Sequence, residues 1–97
     1  MYKPLIESLT IKKSGIDGLG LFADQDIKHG TNLGMSHMAI GSGIIRTPMG
    51  GFINHSNTPN TLKVELKEDK YKKWNLIATK DIKEGEELTV RYTFYNV

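Results

Sequence analysis

The chain has 97 residues, 38% of them hydrophobic and 25% charged, with no cysteine and a formal net charge of +2. That length supports one domain and one modest core, and the composition argues against both disorder and a membrane span. The missing thiols exclude disulfides, thiolate metal sites and a cysteine nucleophile, while bases interleaved with acids give little ground for nucleic-acid binding.

The chain opens with MYKPLIESLTIKK, which lacks the apolar stretch and cleavage site of a secretory signal. This predicts an intracellular protein, in the cytoplasm of the producing or host cell. Leu9 and Ile11 suggest an early strand. Gly18-Leu19-Gly20 is half of a dinucleotide fingerprint with no helix after it, and by itself reads as a turn between strands. No later segment keeps a 3.6-residue apolar period over three turns, and ten glycines punctuate the chain. The reading is therefore an all-β or strand-dominated domain.

Alternation is clearest at Leu62, Val64 and Leu66, and it continues at Trp74, Leu76 and Ala78 beyond the charged stretch KEDKYKK. These runs predict two half-buried strands joined as a hairpin. In ELTVRYTFY, the residues Leu88, Val90, Tyr92 and Phe94 share one parity, which predicts that Tyr92 lies on an apolar face.

The chain also repeats itself. ADQDIKHGTNL, from Ala23, and ATKDIKEGEEL, from Ala78, match at Ala, Asp, Ile, Lys, Gly and Leu with a constant offset of 55. Each copy reads as a strand end, a glycine-closed turn and a new strand, so two similar β-corners should face one another.

The three histidines, His29, His37 and His55, are separated by eight and eighteen residues, which matches no common metal pattern, and no metal site is expected. No serine lies in a strand-turn-helix elbow, and no phosphate loop is present. Asn54-His55-Ser56 spells a glycosylation sequon, irrelevant in an intracellular chain. The surrounding NHSNTPN could be an ordinary turn held by Asx-type bonds.

In combination the pieces say more. Gly18-Leu19-Gly20-Leu21-Phe22-Ala23, then GGFINHSNTPN, then IATKDIKEGEELTVRY, in that order, resemble the SET domain of protein-lysine methyltransferases. Asn54, His55, Ser56, Pro59 and Asn60 match a signature that would arise by chance on the order of a few times in ten million positions. The resemblance spans about Leu9 to Tyr95, and small viral SET proteins are similar in size.

The resemblance implies a mostly β, SET-type β-clip fold of short strands in small sheets with a C-terminal pseudoknot, filling residues 1–97 as a single minimal domain. It implies S-adenosyl-L-methionine as cofactor and a protein substrate presenting a lysine. Gly18, Leu19 and Gly20 would lie against the cofactor's methionine part, Asn54 would bind its amino-acid end, and His55 would read the adenine edge mainly through backbone groups. Tyr92 would be the catalytic tyrosine and a cofactor contact. The pseudoknot would bring residues 54 and 92 together, and Ser56, Pro59 and Asn60 would hold the turn that presents the motif.

Only GSGIIRTP separates Ile40 from Met49, where most SET domains carry a substantial insert, and the sequence ends at Val97 without a post-SET segment. Phe94 and Tyr95 are the aromatics that would line a lysine channel. Two explanations fit a missing wall: a partner subunit supplies it, which motivates a homodimer, or the domain accepts a small or flexible substrate and needs little groove. The DIKxG corners also resemble the β-clip modules of SAF and antifreeze domains, so the alternatives are a non-catalytic binding module of that kind or a catalytically silent SET-like interaction domain.

Overall fold

Alternation and turn residues cut this chain into strands too short for one large sheet, and the molecule uses them in two small ones. The computed structural model describes residues 5–41, 43–67 and 70–92. Strands β1 (Leu9–Lys13), β2 (Leu19–Ala23), β3 (Asn32–Ile40) and β4 (Gly43–Arg46) precede a short helix, α1 (Pro48–Phe52). Strands β5 (Asn54–His55), β6 (Thr61–Lys67), β7 (Lys72–Ala78) and β8 (Glu87–Val90) follow it. One sheet has the order β1-β2-β8-β5 and the other β4-β3-β7-β6.

The repeated corners do face one another. Ile27 and Ile82 exchange both backbone hydrogen bonds, at 2.7 and 2.8 Å. Asp26 accepts from the Glu84 N–H and Asp81 accepts from the His29 N–H, each at 2.9 Å. Gly30 donates to the Ala78 carbonyl at 2.7 Å and Gly85 to the Ala23 carbonyl at 2.8 Å. Every one of these bonds maps onto its counterpart by the 55-residue offset, so the two corners form a local two-fold. Gly30 and Gly85 turn with φ of 89° and 91°, a region that residues bearing a Cβ resist.

The core forms where the sheets and corners meet. Leu21, Leu33, Leu76 and Leu88 are fully buried, with Ile27, Ile53 and Ile82 packed among them. Each such side chain contributes about 1.5–3 kcal/mol relative to an exposed one.

Two expectations need correction. The β6–β7 hairpin is present, yet Leu62 and Leu66 are 56% and 40% exposed. In the hairpin register Thr61, Lys63 and Glu65 stand opposite Ala78, Leu76 and Trp74, so they share the inner face and the alternating leucines point outward. The apolar stripe of β7 faces the core, and that of β6 faces away from it.

The final strand also ends sooner than its alternation suggests, because β8 stops at Val90. Leu88, Thr89 and Val90 are all buried, which reflects a strand enclosed on both faces. Tyr92 still packs against the core, as expected, but from the segment after the strand.

Helix α1 was not legible as a period because it spans 5 residues. Its signal is local: the Thr47 side chain accepts from the Gly50 N–H as N-cap, and Pro48 occupies the first turn. The helix lies so close to β3 that a Cβ on Gly50 would overlap the Ser36 carbonyl.

Candidate functional site

The site begins where α1 delivers the chain into β5. Buried Ile53 anchors the turn, and the next two residues pair with β8 in parallel, Asn54 opposite Thr89 and His55 opposite Val90. Strand β8 is simultaneously antiparallel to β2, so it lies between β2 and β5. That placement draws residues 54 and 92 together, as the pseudoknot requires.

The loop after β5 is tied to β8 by side chains acting as a strand edge. Asn60 donates from Nδ2 to the Glu87 carbonyl at 3.0 Å and accepts the Thr89 N–H at 2.8 Å. Thr61 Oγ1 donates to the Thr89 carbonyl at 2.7 Å. Asn60 therefore acts at long range, pairing with β8, while the turn itself is held locally by Ser56 Oγ accepting from the Thr58 N–H at 3.0 Å.

Tyr92 is fixed at both ends. Its N–H donates to His55 Nδ1 at 2.9 Å, and its hydroxyl donates to the Ile53 carbonyl at 2.9 Å. Burial pushes the phenol pKa above its usual value, with Arg46 working against that shift and Asp17 reinforcing it. A hydrogen bond from the His55 backbone also opposes the shift, so the hydroxyl is a neutral group at physiological pH with its proton directed to the Ile53 carbonyl and its oxygen in contact with the His55 backbone.

A cleft of about 550 Å³ opens beside it, lined by Asp17, Gly18, Leu19, Gly51, Phe52, Asn54 and Tyr92. Its volume is within the range of small-molecule sites. Gly18 turns with φ of 45°, and a Cβ there would meet nothing within 4 Å, so its glycine serves the turn and leaves the mouth open. Leu19, 52% exposed, and Phe52 provide apolar surface.

Asn54 has a polarised setting. Its Nδ2 lies 2.8 Å from Glu87 Oε2, 3.1 Å from Ser14 Oγ, 3.2 Å from the Asp17 carbonyl and 3.4 Å from the Leu19 carbonyl. Four acceptors around one nitrogen fix which end of the amide is which. No hydrogen bond to Oδ1 is made within the described residues, and Asn54 lines the cleft.

Of the residues singled out from sequence, Gly18, Leu19, Asn54 and Tyr92 converge on this cleft. His55 does not line it; the ring is a bracket, packed on Tyr92 with centroids 5.1 Å apart and linked through Nε2 to Asn57 Oδ1 at 3.2 Å. Gly20 is also outside the lining, and a Cβ there would overlap the Glu87 carboxylate. Phe94 and Tyr95 lie outside the described residues. Sequence reasoning missed Gly51, Phe52 and Asp17 in the lining, and Ser14 and Glu87 behind it. Of these Gly51, Phe52 and Glu87 carried a signal, through their places in GGFINHSNTPN and IATKDIKEGEELTVRY, and Ser14 and Asp17 carried none. Among the described residues no three His, Asp or Glu side chains cluster as metal ligands, and no helix is long and apolar enough to cross a membrane.

Two small sheets joined at paired corners, with a terminal strand enclosed between β2 and a two-residue parallel partner, are the architecture of a SET-type domain. The family model described as SET domain matches residues 36–93. The chain belongs to the SET domain family. A Plasmodium falciparum structure described as a candidate histone methyltransferase superposes with a TM-score of 0.75 at 19% identity, covering 94% of this chain and 97% of that one. An inhibitor-bound, humanised mutant of the Chaetomium thermophilum Polycomb Repressive Complex 2 gives 0.72 at 24% identity over 88% of this chain. A mutant of the same complex in its apo form gives 0.73 at 22% over 92%. This chain spans only 15% of each of the two Polycomb chains. The search of curated proteins yields no match.

Proposed function

We propose that this protein is an S-adenosylmethionine-dependent protein-lysine N-methyltransferase. The observation that carries the reading is the cleft lined by both Asn54, in β5, and Tyr92, in the segment after β8, 38 residues apart in sequence. The residues present fit the cofactor. An open mouth at Gly18 admits a ligand, Leu19 and Phe52 offer apolar surface, and the Asn54 Oδ1, which has no hydrogen-bond partner among the described residues, is an acceptor suited to an ammonium group.

When bound, the cofactor supplies an electrophilic methyl group on a sulfonium. The chain's part is alignment and exclusion of water, because an in-line displacement is governed by the geometry of the attacking amine. With its proton held by Ile53, the Tyr92 oxygen would offer a remaining lone pair as an acceptor that orients an amine N–H and the methyl group to be transferred. No general base is assigned. A lysine amine, with a reference pKa of about 10.4, is driven neutral by desolvation and by a neighbouring cationic ligand.

The partner in this reading is a protein that presents a lysine, inside the cell where the cofactor is made. The reading includes a homodimer, supported by the open apolar residues Ile45, Leu62 and Leu66, which are 58%, 56% and 40% exposed. Sedimentation that finds a fully active monomer would remove that element.

Calorimetric titration with S-adenosylmethionine, followed by labelled cofactor with a lysate, tests the whole. Binding and labelled lysine are expected. No binding would favour a SAF-like or antifreeze-like binding module, and binding without transfer would favour a catalytically silent SET domain.

A further inference from the structure

The carboxylate behind Asn54 is not explained by the fold. Glu87 begins β8 and is half-buried, and the Ser14 hydroxyl lies 2.8 Å from both of its oxygens. Asn54 Nδ2 donates to Oε2 at 2.8 Å, its shortest contact, with the Asp17 and Leu19 carbonyls as longer acceptors of the same nitrogen at 3.2 and 3.4 Å. The chain keeps space for this group, since a Cβ on Gly20 would overlap the carboxylate and come within 3.0 Å of Ser14 Cβ. Ser14 in turn orders the cleft's rim: its Oγ accepts the Ile16 N–H at 2.9 Å, and its backbone N–H donates to the Gly18 carbonyl at 2.8 Å.

We propose that Glu87 is a positioning residue that holds Asn54 with its amide oxygen toward the cleft, so that the site selects a ligand carrying an ammonium group. This rests on the cofactor reading above and deepens it. An ionised carboxylate can only accept hydrogen bonds, so it admits one orientation of the neighbouring amide, with NH₂ inward. A carboxamide at the same place would accept either orientation. The ionised group also sets a negative charge directly behind Asn54, on the side opposite the ligand, and Asp17 adds a second acid at the rim. Both favour the cationic end of a free amino acid over a neutral or anionic group. A glycine at position 20 then leaves the Glu87 carboxylate in the place from which it reaches Asn54.

The experiment compares S-adenosylhomocysteine with its des-amino analogue by calorimetry, in the wild type and in Glu87→Gln. The wild type should prefer the amino-bearing ligand by about 10- to 100-fold, the range expected of one charge-assisted hydrogen bond. Glu87→Gln should reduce that preference several-fold while binding of the des-amino ligand changes little, because the Asn54 amide is then held inward only by the Ser14 hydroxyl and the longer contacts to the Asp17 and Leu19 carbonyls, without its shortest, charged acceptor. A purely structural role would weaken both ligands together and leave the ratio intact. Glu87→Asp, which keeps the charge but withdraws the oxygens from Asn54, should also lower the ratio and serves if the glutamine variant does not fold. A folded variant that retains the full wild-type preference overturns the role of Glu87 while the cofactor reading stands. A wild type that binds neither ligand removes both.

Discussion

His55 Nδ1 accepts the backbone N–H of Tyr92 at 2.9 Å, across 37 residues of sequence. With Nδ1 an acceptor, the proton of the neutral ring is on Nε2, where it reaches Asn57 Oδ1 at 3.2 Å. One imidazole thus joins the loop after β5 to the segment after β8, and it does so by serving a main-chain donor. His55→Ala would leave the Tyr92 N–H without this acceptor and remove a ring packed on the phenol. We expect a loss of about 1–3 kcal/mol in urea unfolding. An unchanged midpoint would show that water replaces the ring at no cost.

Tyr92→Phe removes only the hydroxyl that donates to the Ile53 carbonyl. Turnover should fall severely, with cofactor affinity in calorimetry changed little and stability lowered by about 1 kcal/mol. Wild-type turnover in this variant would overturn the catalytic assignment.

Adjacent glycines in α1 should respond in opposite ways. A Cβ on Gly50 would overlap the Ser36 carbonyl, which is backbone and cannot turn aside, whereas one on Gly51 meets nothing within 4 Å. Gly50→Ala should cost on the order of 1–3 kcal/mol or more through displacement of the helix. Gly51→Ala should be neutral, or stabilising by up to about 1 kcal/mol through the better helix former. Thermal melts of the two variants side by side decide the point, and equal melting temperatures would contradict the close packing of α1 on β3.

Acid should destabilise the protein through His37. Burial first, then Lys63 and then Arg46, lower its pKa from 6.5 to about 4. Above pH 6.5 both folded and unfolded chains carry it neutral, so it has no effect there. As pH falls from 6.5 toward 4 the unfolded chain takes up a proton that the folded one refuses, and stability declines by at most about 1.4 kcal/mol per pH unit. His37→Asn keeps a donor for Ser36 Oγ, the 2.8 Å partner of the ring, but does not titrate. Urea midpoints at two pH values in this window should drop less in the variant than in the wild type, and an identical drop would assign the effect to other groups.

Asn60→Ala should destabilise by about 1–3 kcal/mol, since the Thr89 N–H and Glu87 carbonyl at 2.8 and 3.0 Å would both lose their partner. Faster amide exchange at Thr89 is the specific signature, and unaltered protection there would mean that β8 does not depend on this side chain.

Much of the molecule was legible in its residues. The early strand, the β6–β7 hairpin and the start of the last strand follow from alternation, and the facing corners from a repeat of 55 residues, whereas β4 and the two-residue β5 carried no such mark. The motif order from Gly18 through Asn54 to Tyr92 marks the family, and it marks most of the cleft. What the sequence could not decide is which residues stand opposite one another. An alternating run marks two faces without saying which is inward, so Leu62 and Leu66 read as core and lie outside, because the hairpin register turns Lys63 and Glu65 toward Leu76 and Trp74. Nothing local ties Glu87 to Ser14, 73 residues away, or to Asn54, 33 residues away. Those pairings exist only once β8 has entered between β2 and β5, so the polarity of the site is a property of the assembled sheet.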